Sequence, residues 1–210
     1  YYDTESDVWT GYVMSGQVTS LYTLSIPNYQ LVVNMAGELV ETSVDNGDGT
    51  FTYNVPVRQG YTWSDGSPIT ANDWQFTFDT VKGLSLGGNF LSAYPYLCED
   101  DEGNSKNCVV SVVATDDYTV SVTFNYDPGL STWQYGTAQG PAFSKAYWES
   151  IATDKESLYA HDAINAPVAS AFVYDKLEQG AFYTWKYDAN TMWYGGCLLY
   201  TSDAADDVRS

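Results

Sequence analysis

DGTFTYNVPVRQGYTWSDGSPITANDWQFTFDTVKG, residues 48–83, is the stretch from which the rest of the chain can be read. Phe51, Tyr53, Val55 and Val57 alternate with Thr52, Asn54, Pro56 and Arg58. A period of two predicts a strand with one buried face. Pro56 falls on the outward set, which predicts an edge position or a bulge. Ser64-Asp65-Gly66-Ser67-Pro68 has turn chemistry, because Gly66 tolerates positive φ and Pro68 restricts the backbone. A helix should start next. Thr70 is a good N-cap, and Asp73 three residues on completes a capping box. Ile69 and Trp74 can form a hydrophobic staple, and Trp74, Phe78 and Val81 make an apolar stripe at helical spacing. Lys82 puts a cation in the last turn, and Gly83 stands just past the end.

This run, from Val57-Arg58-Gln59-Gly60 through Tyr61-Thr62-Trp63-Ser64-Asp65-Gly66-Ser67-Pro68-Ile69-Thr70-Ala71-Asn72-Asp73-Trp74, resembles the signature of the family 5 extracellular solute-binding proteins. These are the peptide- or oligopeptide-type binding subunits of ABC transporters. Arg58, Gly60, Trp63, Asp65, Gly66, Thr70, Asp73 and Trp74 carry the resemblance. The likeness continues downstream. ATDDYTVSVTF (residues 114–124) is similar to the family hairpin VDDYTVRFTL. Ser144 to Glu149 stands where the family has its P-K-H-x-W/Y-E element. Asn165 to Phe172 matches N-P-V-G-T-G-P-Y, with Ala169 and Ala171 in place of glycines and Phe172 in place of the proline. Trp193-Tyr194-Gly195-Gly196 resembles the closing N-P-x-Y-W-G-G. The resemblance spans most of residues 18–196.

The 210 residues suffice for one or two small domains with a core. At 44% hydrophobic and 16% aromatic, the chain is not disordered by composition. Eight basic against 27 acidic residues give a net charge of −19. Such a surface repels phosphate backbones and anionic lipid, which argues against nucleic acid as a partner, and it suits a secreted protein in salty water. No apolar run approaches transmembrane length, and no signal-peptide pattern opens the chain at Tyr1. Cys98 and Cys108 stand at the feet of a polar, acidic loop and read as a disulfide, hence an oxidising compartment; two free thiols are the alternative. A zinc site is disfavoured, since C-x-x-C spacing is absent and the single histidine is remote.

Residues 197–210, opening CLLYTSDAAD, look like a translated sequencing adapter of the kind met in metagenomic assemblies. On that reading they are a non-biological tail, and the natural sequence before them is an N-terminal fragment.

Elsewhere the pattern predicts a helix within Val8–Leu24, weakened by Gly11 and Gly16. A short strand is expected at Leu31–Val33. Leu39–Val44 should pair with Thr50–Val57 across the turn formers Asp45 to Gly49. Gly83–Phe90 reads as a glycine-rich connection. A second hairpin is predicted at residues 110–124, and Trp133–Pro141 reads as loop. Short helices are expected at Ser144–Glu149 and after Asp154, and a last hairpin over Val173–Leu177 and Phe182–Tyr187 with Gln179-Gly180 at the turn.

No catalytic system stands out. There is no G-x-S-x-G, no H-E-x-x-H and no phosphate-cradling glycine loop. His161 reads as a solvated surface histidine. Asp45 to Gly49 is too short for a calcium loop. No carboxylate pair is nominated for glycoside hydrolysis. The chain is therefore read as non-enzymatic, with no metal and no cofactor.

The resemblance implies an α/β fold of the type II periplasmic-binding-protein kind: a first lobe carrying an inserted mixed α+β subdomain, with the second lobe missing. Residues 1–38 would begin the first lobe, 39–164 form the insertion and 165–196 return to the lobe. Implied too are extracytoplasmic binding of a solute, chiefly a short peptide, delivery to an ABC permease, and a monomer peripheral to the membrane with a possible lipid anchor. Trp9 and Tyr12 of the early segment, and Trp133 and Tyr135 of the later loop, are the expected ligand contacts. A second reading takes the abundant tyrosine and tryptophan as the mark of a secreted carbohydrate-active enzyme or binding module, which would expose a planar row of Trp and Tyr.

Overall fold

In the computed structural model of the chain, the described residues are 17–25, 28–161, 163–178 and 182–188. Their centre is the strand–turn–helix of residues 48–83. The alternating residues form strand β4, Phe51–Pro56, while β3 is reduced to Val44–Asp45. The longer partner expected from Leu39 is absent: residues 39–43 are irregular, and only Val44 and Asp45 pair, with Thr52 and Phe51.

The second hairpin, β5 (Val109–Asp116) and β6 (Thr119–Phe124), does not stand apart. It adds to the first in one antiparallel sheet of order β3-β4-β6-β5, with Tyr53 opposite Val122 and Val55 opposite Val120. Pro56 keeps its expected edge character. The Val57 N–H donates to Tyr118 on the β6 side, whereas the Pro56 carbonyl accepts the Gly37 N–H on the other side, beyond the short β3. Its missing N–H therefore falls where no strand needs it.

Helix α1, Ala71–Gly83, packs on one face of this sheet. Trp74, Phe78 and Val81 are buried against Val112, Val120 and Val122. Burying each of the larger side chains is worth about 1.5–3 kcal/mol. Gln75 ties the helix to the sheet by accepting the Ala114 N–H at 2.9 Å. Gly83 is the last helical residue rather than the residue past the end. The left-handed position is taken by Ser85, φ 51°. The Leu86 N–H reaches the Val81 carbonyl and the Ser85 N–H reaches Lys82, which is a Schellman closure.

Within Gly83–Phe90, the predicted connection already contains the start of a second helix, α2, Gly88–Ala93. Helices α3 (Lys145–Trp148) and α4 (Lys155–Ala160) lie where short helices are expected, and Asp154 caps α4 by accepting the Ser157 N–H at 2.8 Å.

Most of the early helix expectation lies outside the described residues, but its end is overturned. Tyr22–Leu24 is strand β1, paired antiparallel with β2, Leu31–Val33. Tyr22 points inward and Thr23 outward, so a period of two prevails over the helical one, in keeping with the β-preferring Val18, Thr19, Tyr22 and Thr23. The last hairpin, β7 (Phe172–Glu178) with β8 (Phe182–Tyr187), stands as predicted, and its Gln179-Gly180 turn lies outside the described residues. Ala169 and Ala171, at the family's glycine positions, are buried and have no positive φ, so this backbone does not need glycine.

Candidate functional site

Among the signature residues Trp63, Asp73 and Trp74 are buried around the Asp73 carboxylate, while Gly60, Asp65 and Gly66 lie exposed at turns. Trp63 and Trp74 are each 1% exposed. The Tyr61–Ile69 segment folds back on itself: Gly66, φ 86°, closes the turn, and Asp65 Oδ1 accepts the Ser67 N–H and hydroxyl. Arg58 Nε donates to the Ala36 carbonyl, and Gly60, φ 85°, turns the chain. The Thr70 N–H donates to Asp73 Oδ2 at 2.9 Å, the return half of the capping box.

Asp73 does more than cap. Its Oδ2 also accepts Trp63 Nε1–H at 3.3 Å, and its Oδ1 accepts the Lys145 N–H at 2.8 Å. Burial pushes the carboxyl up to about 6, against the pull of these donors. Its backbone carbonyl accepts the Thr77 hydroxyl, which in turn accepts the Phe143 N–H. The hub thus fixes the segment 141–145 against α1.

The open concavity lies on the other side of that segment. A depression of about 290 Å³ is lined by Val18, Thr19, Ser20, Thr23, Asn34, Gln139 and Pro141. Three parts of the chain meet there. Thr19 and Ala142 exchange both backbone hydrogen bonds, at 3.1 and 2.7 Å, and the β1–β2 pairing brings Asn34 beside Thr19 and Ser20. Gln139 Nε2 donates to the Gln134 carbonyl at 2.8 Å. Among the described residues, none that lines it carries a titratable side chain. In a chain of net charge −19, this wall offers only hydroxyl, amide and apolar contacts. It suits neutral hydrogen-bonding groups, and its described residues supply neither a nucleophile–base pair nor a metal cage. No group of three or more potential metal-binding side chains occurs among the described residues.

Of the expected ligand contacts, Trp9 and Tyr12 lie outside the described residues. Trp133 is corrected: it is 2% exposed and belongs to the core. Its indole stacks on Tyr53 at 3.8 Å and 9°, and Nε1–H donates to the Val40 carbonyl. The Tyr22 hydroxyl holds the same strip by accepting the Val40 N–H and donating to the Glu38 carbonyl. Tyr135, 53% exposed, is the part of the pair that faces solvent. The segment is not the expected loop but a π-helical turn, Leu130–Gln134, followed by a 3₁₀ turn, Thr137–Gln139. Gly136 is obligatory there, since a Cβ would come within 2.5 Å of the Thr132 carbonyl oxygen.

His161 is half-buried, not solvated: Nε2 lies 2.9 Å from the Tyr147 hydroxyl, and the ring packs edgewise on Trp148. Cys98 and Cys108 are joined in a disulfide, with Cα atoms 5.0 Å apart. Trp148 is buried along with Trp63, Trp74 and Trp133, and Trp185 is half-buried. The exposed tryptophan row that a carbohydrate module needs is not found among the described residues.

The family model for bacterial extracellular solute-binding proteins, family 5, matches residues 34–202. Among solved structures, the chain is similar to the oligopeptide-binding protein AppA of Bacillus subtilis, in complex with a nonapeptide: 15% identity, TM-score 0.64, covering 89% of this chain and 33% of that one. The periplasmic oligopeptide-binding protein of Thermotoga maritima, bound to mannohexaose, gives 20% identity, TM-score 0.61, and 84% and 29% coverage. NikZ of Campylobacter jejuni, in complex with Ni(L-His), gives 17% identity, TM-score 0.58, and 84% and 31% coverage. The chain therefore carries a type II periplasmic-binding-protein fold and spans about a third of the length of these proteins. A search of curated proteins gives no match.

Proposed function

The chain belongs to the bacterial extracellular solute-binding proteins of family 5, and on that premise we propose that it forms one wall of a site that binds a short peptide outside the cytoplasm for delivery to an ABC permease. The observation that carries this reading is the neutral depression of about 290 Å³, whose hydroxyl and amide groups match the neutral N–H and C=O groups of a peptide. A nickel chelate is less well served, because the described lining residues include no titratable ligand. The Cys98–Cys108 disulfide fits an oxidising, extracytoplasmic setting. We assign residues 1–38 and 165–196 to the first lobe and 39–164 to its insertion, in a monomer held at the membrane by the permease or a lipid anchor.

Binding proteins of this fold enclose a ligand by hinge closure of two lobes. One wall alone leaves most of a ligand in water. The isolated 210-residue chain is therefore expected to bind peptides weakly or not at all. The test is calorimetric titration of the complete gene product with pooled tri- to pentapeptides, beside the 210-residue chain. Binding confined to the complete product supports the reading. Failure of the complete product to bind any peptide overturns it, and a dissociation constant of about 1 μM or tighter for the short chain overturns the one-wall assignment.

A further inference from the structure

Gln139 and Pro141 line the depression, and the chain that carries them runs on extended through Ala142. The Ala142 N–H and carbonyl both face Thr19, itself a lining residue. In an extended chain the residues on either side, Pro141 and Phe143, turn their backbone groups the opposite way. On that second edge side chains stand in for a strand. The Tyr94 hydroxyl donates to the Pro141 carbonyl at 2.9 Å, the Thr77 hydroxyl accepts the Phe143 N–H at 3.0 Å, and Asp73 Oδ1 accepts the Lys145 N–H at 2.8 Å.

These supports form one unit. Asp73 and Thr77 stand one turn apart on α1, and the Tyr94 ring packs edgewise on Phe78 of the same helix at 5.9 Å. Tyr94 and Thr77 are both buried. Gly140 lets the wall lie directly on Tyr94, since a Cβ there would come within 2.8 Å of the phenol oxygen. None of the three supports is among the described residues that line the depression. Removing either hydroxyl leaves a main-chain group without its partner. The nearest relief is water in the depression, reached by shifting the wall.

We propose that Tyr94 and Thr77 are positioning residues of the solute site: from behind the wall, their hydroxyls set the line of residues 139–143, and solute affinity depends on them although neither touches the solute. This rests on the peptide reading above. A binding wall must keep its groups within about 0.5 Å of the productive arrangement, and here two hydroxyls and one carboxylate do so where a neighbouring strand otherwise would.

The test compares the complete gene product with its Tyr94→Phe, Thr77→Val and Thr77→Ser variants, and with Tyr96→Phe as control. Tyr96 also donates its hydroxyl to a backbone carbonyl, at 3.0 Å, but that carbonyl belongs to Leu86 at the end of α1 and not to the wall. The probe is whichever peptide of a tri- to pentapeptide pool the parent binds most tightly. It is titrated calorimetrically at a temperature where each variant is folded, with thermal unfolding and amide hydrogen exchange followed alongside. Tyr94→Phe and Thr77→Val should each weaken the peptide by about three- to tenfold and speed exchange of the Thr19 and Ala142 amides by a similar factor. Thr77→Ser keeps the hydroxyl and should bind within about twofold of the parent. Tyr96→Phe should lower the unfolding midpoint as Tyr94→Phe does, yet leave binding within about twofold. A Tyr94→Phe variant that loses stability but binds as the parent does overturns the proposal. So does an equal loss of affinity in Tyr96→Phe, which would make the effect a general loosening of the fold. If the parent binds no peptide, the peptide reading has failed; the exchange rates then judge the positioning alone, and unchanged exchange at Ala142 in Tyr94→Phe overturns it.

Discussion

Replacing Asp73 by asparagine should change how the stability of the chain responds to pH. The carboxyl is 3% exposed and receives three N–H donors, from Thr70, Trp63 and Lys145. Burial outweighs them and pushes its pKa from the ordinary 3.8 up to about 6. Between those values the folded state holds the proton more tightly than the unfolded chain. The stabilisation is thus fully present below about pH 3.8 and is lost as pH rises through about 6. The difference amounts to about 3 kcal/mol.

Other carboxylates also titrate, and acid relieves the net charge of −19, so the parent's profile alone cannot isolate this group. Asp73→Asn can. Its amide does not ionise, and it meets at least one of the three donors with a donor of its own, a constant loss of about 1–3 kcal/mol. Urea unfolding of parent and variant at steps between about pH 4 and pH 7.5, at fixed ionic strength, gives the difference directly. The parent's advantage should be greatest at the acid end and shrink by about 3 kcal/mol toward neutral pH. A flat difference, or an advantage that grows with pH, would refute the reasoning. It would mean that the three donors, not burial, govern the carboxylate.

Gly140→Ala should cost about 1–3 kcal/mol by thermal unfolding, because its Cβ would lie 2.7 Å from the buried Tyr94 ring and 2.9 Å from the Thr137 carbonyl oxygen. Ser85→Gly should raise stability by about 0.5–1 kcal/mol, since glycine takes φ 51° freely; an unfolding midpoint that falls would count against the left-handed assignment. Trp133→Ala should lose about 3–5 kcal/mol, whereas an unchanged unfolding midpoint would return Trp133 to the surface role it has here been denied. Raising salt from about 0.1 to about 1 M shortens the screening length from about 10 to about 3 Å, and this should raise the unfolding midpoint. The two exposed ion pairs among the described residues, each at 3.8 Å, do little to offset the acidic excess of the chain. A midpoint that does not rise with sodium chloride would show that repulsion is already screened.

The strand, turn and helix of residues 48–83 are legible in the sequence because neighbours decide them: alternation for β4, Gly66 and Asp65 for the turn, Thr70 and Asp73 for the cap. The depression is not legible. Its wall is assembled from Thr19, Asn34 and Gln139, which share no motif and meet through the Thr19–Ala142 bridge and the β1–β2 pairing. Trp133 shows the same limit from the other side. Its local context reads as an aromatic loop, but its stacking partner, Tyr53, arrives from β4. A run of Thr19-Ser20 followed by Thr23 is the one local hint of a polar wall, and it also reads as ordinary strand composition. The misread end of the early helix has the same origin, since Val18, Leu21 and Tyr22 fit a helical face until β2 supplies a partner for Tyr22–Leu24.

The hub at Asp73 also dictates an order of completion during synthesis. Strand β4 and helix α1 emerge early, but each is finished by residues that emerge later. β4 needs β6 as its partner; the first N–H of α1 needs the Asp117 carbonyl; Asp73 needs the Lys145 N–H; and the Ser64 turn exchanges hydrogen bonds with Val168. Until residue 168 has been made, the most recognisable stretch of the chain stays open at successive seams. Loop closure over such distances delays folding. The nascent protein should therefore remain extended and threadable through most of its synthesis and consolidate late, as a unit.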